Sequence, residues 1–132
     1  MSDRIATFWI ITKQNETFDF GDAPKPKSHT FSFKLTEENF NSWAYITLQA
    51  KGVNYKKNAV RLNGHFVGYL DPTPEGFWIQ QTLIVEVYNQ QLFGDGPTNE
   101  LVIEANNAQG GASGNIDDFS VKHLIFHHRT NR

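Results

Sequence analysis

The sequence contains no cysteine among its 132 residues. That absence excludes a disulfide framework, a zinc ribbon and a thiol nucleophile together. Charge of one sign is also lacking: twelve Lys and Arg stand against fourteen Asp and Glu, a formal net charge of −2. No basic cluster exceeds the pair Lys56-Lys57. Such a chain has little to attract a polyanion, so nucleic acid and acidic membranes are not expected partners. No apolar run approaches the roughly 20 residues that a membrane helix requires, so membrane insertion is not expected either.

The N-terminal residues Met1 to Ile10 show no basic region followed by a long apolar stretch, the form of a secretory signal. With Met1 as the natural start, the expectation is a cytoplasmic, stand-alone domain. A trimmed chain, or one delivered in a particle, would instead be extracellular. The sequon Asn15-Glu16-Thr17 matters only in a eukaryotic secretory pathway.

Catalytic signatures are missing as well. Gly111-Ala-Ser-Gly114 lacks the spacing of a nucleophile elbow, and Gly94-Asp-Gly96 is too short for a phosphate or dinucleotide loop. Asp117 and Asp118 are adjacent, so on a strand they point to opposite faces and cannot flank one glycosidic bond. The expectation is a protein that is not an enzyme.

What is present is aromatic and β-branched. Eleven Phe, three Trp and four Tyr accompany a single Met, which gives a stiff core of rings. A chain of this length forms one domain, residues 1–132, able to bury roughly two-thirds of its unfolded surface. Asn63-Gly64 lies between two short alternating apolar runs, the strongest short-range hairpin signal, because both residues accept the positive φ of a type I′ turn.

A period of two runs through almost the whole chain. It predicts strands over Arg4–Thr12, His29–Leu35, Trp43–Ala50, Ala59–Leu62, His65–Leu70, Phe77–Val87, Glu100–Ala105 and Phe119–His128. Asn15 to Ser28 reads as a long loop, and Thr36 to Asn41 as a capped helical turn. In Trp43–Ala50 the inward positions are Ala44, Ile46, Leu48 and Ala50. About eight strands separated by turn signals, with no long helix, make an all-β antiparallel sandwich of jelly-roll topology.

Several segments resemble one family. Ala44-Tyr-Ile-Thr-Leu-Gln-Ala-Lys-Gly-Val53, Ala59-Val-Arg-Leu-Asn-Gly-His-Phe-Val-Gly68, Trp78, Leu92 and Gly96-Pro-Thr-Asn-Glu-Leu-Val-Ile-Glu-Ala105 are similar to the galactose-binding-like jelly rolls. Asn115-Ile-Asp-Asp-Phe-Ser-Val121 resembles their final strand. These sandwiches occur as carbohydrate-binding modules and as accessory domains of glycosidases. The sequence departs from the pattern at Pro97 and Thr98, which widen the usual glycine-to-Asn99 spacing. The resemblance implies a turn role for Asn63 and Gly64, and a place for Trp78 between the sheets. It also implies a structural Ca²⁺ held by Asp117 or Asp118, with Asn115, since hard oxygen ligands suit that ion. The competing reading of Asp117-Asp118 is that they satisfy turn amides at the start of a strand. No cofactor is required on either reading.

Other candidates come from residue type. A sugar site needs an aromatic face surrounded by polar side chains. Tyr55 with Asn54, Lys56 and Asn58 is the most site-like group, with Trp43 a further loop aromatic. Asn106, Asn107 and Gln109 come from another loop. His123 and His127 have the spacing of a helical zinc pair, but on a strand they stand about 13 Å apart and cannot share an ion. Two functions follow. One is a non-catalytic, lectin-like module binding carbohydrate through loops at one end of the sandwich. The other is a structural or adaptor subunit docking onto a partner protein in a larger assembly, such as a phage-tail-like particle, with an oligomer possible.

Overall fold

The structure, a computed structural model, describes residues 4–19, 28–34, 44–85, 98–111 and 114–131. Its strands are β1 Arg4–Thr12, β2 Glu16–Phe18, β3 Ser28–Lys34, β4 Ala44–Lys51, β5 Ala59–Leu62, β6 His65–Tyr69, β7 Ile79–Val85, β8 Thr98–Glu104 and β9 Phe119–Asn131. They form two antiparallel sheets. One has the order β1-β9-β4-β7 with β2 also on β9, and the other the order β3-β8-β5-β6. Most connections cross between the sheets, and among the described strands only β5 and β6 are sequential partners. The expected all-β sandwich is present, and no helix occurs among the described residues.

Strict alternation makes the two-layer packing possible, because it gives each strand one apolar face. In β4 the residues Ala44, Ile46, Leu48 and Ala50 are buried, as the pattern predicts, while Tyr45, Thr47, Gln49 and Lys51 face outward and are half-buried. Val121, Leu124 and Phe126 of the neighbouring β9, and Leu62, Leu101 and Ile103 of the facing sheet, complete the core. Phe18 stacks on Phe119 with ring centroids 4.6 Å apart. Each such side chain contributes roughly 1.5–3 kcal/mol by leaving water.

The hairpin forms where Asn63-Gly64 requires it, with φ of 50° and 84° at the two turn residues. Asn63 then clasps the next strand: its Nδ2 donates to Asn99 Oδ1 at 2.9 Å, and Glu100 N donates to its Oδ1 at 2.9 Å.

The structure differs from the expected strands in three ways. β2 interrupts the region read as a loop, because its three residues take up the part of β9 that lies beyond β1, pairing Glu16 with Val121 and Phe18 with Phe119. So short an edge strand has no period of its own to detect. β9 runs on to Asn131 because β1 pairs with it as far as Arg4. It also carries a bulge: Gln49 faces Lys122 and Thr47 faces Ile125, so His123 and Leu124 together oppose Leu48. His123 absorbs the extra residue with φ of 52°, and Val121 and Leu124 can then both face inward. The segment expected as a helical turn, 36–41, lies outside the described residues.

Candidate functional site

The loop after β4 and the loop before β9 meet at one end of the sandwich. Gly52 leaves β4 with φ of 76° and donates to Pro74 O at 3.0 Å. Asp117, 1% exposed, then organises the turn that follows. Its Oδ2 accepts from Asn54 N at 2.9 Å, Tyr55 N at 3.0 Å and Asn58 Nδ2 at 2.8 Å. Its Oδ1 accepts from Asn54 Nδ2 at 3.2 Å. Asn58, fully buried, also donates to Tyr55 O at 3.2 Å and accepts from Asn106 N at 2.9 Å. Asn106 Nδ2 donates to Lys57 O at 2.7 Å, and Asp117 N to Asn106 O at 3.0 Å.

Two groups of candidates from different parts of the sequence are therefore one cluster. Asn54, Tyr55 and Asn58 surround Asp117, and Asn115 Nδ2 donates to Tyr55 Oη at 3.1 Å. The polar atoms of Asn54, Asn58 and Asp117 are turned toward one another. Lys56 stands apart, 3.3 Å from Asp71 in an exposed pair of the kind that contributes at most about 1 kcal/mol. Asp118 is exposed and faces a different surface. Trp43 lies outside the described residues. The donors present do not fit a calcium ion at Asp117, since four N–H groups converge on its carboxylate where a cation would require oxygens. Among the described residues, no group of three or more His, Asp or Glu could hold a metal ion.

A second region opens at the same end. An open depression of about 260 Å³ is lined by Thr17, Asp19, Lys51, Glu75, Asp118 and Ser120, among others. Thr17 Oγ1 and Ser120 Oγ lie 3.3 Å apart across the β2–β9 pair. Lys51 links this depression to Trp78, with its Nζ 4.8 Å from the ring centroid; Lys122 Nζ lies 4.1 Å from the same ring.

Trp78 corrects the sequence-based expectation, because it does not pack between the sheets. Gln80, Thr82 and Ile84 of β7 pair with outward-facing Gln49, Thr47 and Tyr45 of β4. The same alternation carried back one step puts Trp78 on the outer face, where it is half-buried. Of this group, sequence reasoning overlooked Lys51 and Lys122. Their outward parity was readable, but the β4–β9 pairing that brings them to one ring was not.

Farther along the same face, the Tyr45 and His127 rings stack with centroids 4.5 Å apart and planes 9° from parallel. Thr47 Oγ1 lies 2.8 Å from His127 Nε2. Burial lowers the His127 pKa below its ordinary 6.5 by disfavouring the charged ring. Beyond it, Phe8, Ile10 and Ile84 are exposed.

No protein-family model and no curated protein sequence matches the chain. Solved structures do resemble it. One is a glycoside hydrolase family 86 protein in complex with neoagarooctaose, with a TM-score of 0.64 and 12% identity over 99% of this chain and 19% of that one. Another is a β-porphyranase of glycoside hydrolase family 86 from the human gut bacterium Bacteroides plebeius, with a TM-score of 0.63 and 16% identity over 99% of this chain and 21% of that one. A sugar-binding protein, the EclA C-terminal domain, overlaps with a TM-score of 0.46 at 16% identity, over 95% of this chain and 78% of that one. At these identities the likeness to the two hydrolases is one of fold: the chain is a β-sandwich spanning about a fifth of the length of each.

Proposed function

We propose that the domain is a non-catalytic carbohydrate-recognition module, a lectin-like sandwich of the galactose-binding kind that takes a saccharide at its loop-bearing end and requires no cofactor. The depression beside Trp78 carries this reading. Hydroxyls need both donors and acceptors, and Thr17, Ser120, Lys51, Asp19, Glu75 and Asp118 offer both around about 260 Å³. That volume lies just below the range of roughly 300–1,000 Å³ for drug-sized ligands, which suits a sugar ring at an open surface. The lining residue Lys51 is held by the Trp78 indole, with its Nζ 4.8 Å from the ring centroid. The Tyr55 group is a weaker location for the ligand, because Asn54 and Asn58 spend their hydrogen bonds on Asp117 and its neighbours. Fold neighbours that are glycoside hydrolases, one of them bound to neoagarooctaose, support a carbohydrate setting.

A glycan array followed by titration calorimetry on the purified domain tests the proposal. Binding that is lost in Trp78→Ala and weakened in Glu75→Gln is expected. Absence of binding to every glycan would sink it. The alternative, an adaptor docking onto a partner protein, draws on exposed Phe8 and Ile10 at one edge of the five-stranded sheet and Ile84 at the other. Size-exclusion light scattering that finds a defined oligomer without glycan binding would favour it.

A further inference from the structure

Two lysines meet at one ring on the outer face of the five-stranded sheet. Lys122 Nζ lies 4.1 Å and Lys51 Nζ 4.8 Å from the centroid of Trp78. The elements that bring them there are specific. Lys51 ends β4, Lys122 faces Gln49 across the β4–β9 ladder, and Trp78 immediately precedes β7. The bulge at His123, with its left-handed φ of 52°, begins directly after Lys122. Such bulges re-aim the side chains beside them.

Both lysines are half-buried, and neither forms an ion pair with a carboxylate among the described residues. Exposed Lys56, by contrast, is paired with Asp71. Attraction to the indole holds each ammonium group at the ring, yet the ring supplies no acceptor for their N–H donors. An anion would supply those acceptors and balance the positive charge.

We propose that Trp78, Lys51 and Lys122 form a subsite for a saccharide bearing an anionic substituent, a sulfate or a carboxylate. The indole holds the two ammonium groups in place, and these bind the charged group. The subsite adjoins the depression through Lys51, so one oligosaccharide can place neutral hydroxyls against Asp19, Glu75 and Asp118 and its anionic group against the lysines. This proposal rests on the carbohydrate-binding reading and names its ligand class.

The test uses the whole domain and three probes: an unsulfated galactan oligosaccharide, its sulfated counterpart and an oligogalacturonate. Calorimetry is run at low and high salt. The expected result is binding of the sulfated sugar, the uronate or both at least about tenfold tighter than the neutral galactan, with a preference that salt weakens. Lys122→Gln, which does not line the depression, should remove that preference. Lys51→Gln should weaken both kinds of binding. Comparison of the sulfate and uronate arms identifies which anion the lysines accept. Equal affinity for neutral and anionic probes, or an undiminished preference in Lys122→Gln, overturns this subsite while leaving carbohydrate binding intact. If no probe from this set or from the array binds, the broader reading falls with it. Melting curves of each variant confirm that the fold survives.

Discussion

Replacing Asp117 with Ala should be among the most damaging single substitutions near the loop end of the sandwich, although it touches no apolar core contact. The carboxylate accepts four N–H bonds, of 2.8, 2.9, 3.0 and 3.2 Å, from three residues of one turn. A hydrogen bond to a charged group contributes about 1.5–3 kcal/mol, and each buried donor left unpaired costs about 1–3 kcal/mol. Asn58 Nδ2 is fully buried and keeps only its bond to Tyr55 O, whereas Asn54 is exposed and water can reach its donors. Weighing full loss at the buried donor against partial rescue at the others gives about 3–5 kcal/mol. For a chain of 132 residues the unfolding entropy near 60 °C is about 0.28 kcal/mol/K, so Tm should fall by about 11–18 °C. Scanning calorimetry measures the shift. Glu75→Gln, which also removes a carboxylate charge at an exposed position of the same end, serves as the control and should stay within about 0.5 kcal/mol. If Asp117→Ala moved Tm by no more than that control, the carboxylate would not be holding the turn.

Two further outcomes follow from the same residues and the outer face. Because the Asp117 carboxylate is occupied by N–H donors, EDTA should leave Tm unchanged, and a drop on chelation would show a cation that the donor arrangement does not accommodate. The half-buried His127 resists protonation in the folded state, with a pKa below 6.5, whereas the unfolded ring takes its proton at the ordinary value. The folded state therefore binds fewer protons between the two pKa values, and its contribution, full above pH 6.5, is lost as the pH falls toward the lowered value. Urea midpoints from about pH 8 to about pH 5 should show this loss in the wild type and a flatter profile in His127→Gln; identical profiles would refute it.

The sequence was most readable where a local rule sufficed. Alternation in β4 placed Ala44, Ile46, Leu48 and Ala50 in the core, since strand geometry sends successive side chains to opposite faces whatever their partners. Asn63 and Gly64 turned the chain because few other residues accept their φ values. Asn54, Tyr55, Asn58, Asn115 and Asp117 were recognisable as notable residues, but not as one cluster. Trp78 shows the limit most clearly. Its family resemblance pointed inward, while the parity of Gln80, Thr82 and Ile84 put it outside.

The sequence by itself determined the all-β class, the hairpin, most strand positions and which residues of each strand face inward. These depend on backbone preferences and on a period of two, both local properties. Only the tertiary structure decided that β9 lies between β1 and β4, that β2 takes up the end of β9, and that Asp117 reaches back 63 residues to Asn54. It also decided that Lys51 and Lys122 share one indole. Long-range strand pairing reflects the summed packing of two sheets, and no short segment carries that sum. The candidate recognition surface is made by the pairing, so it became visible only once the sheets were assembled.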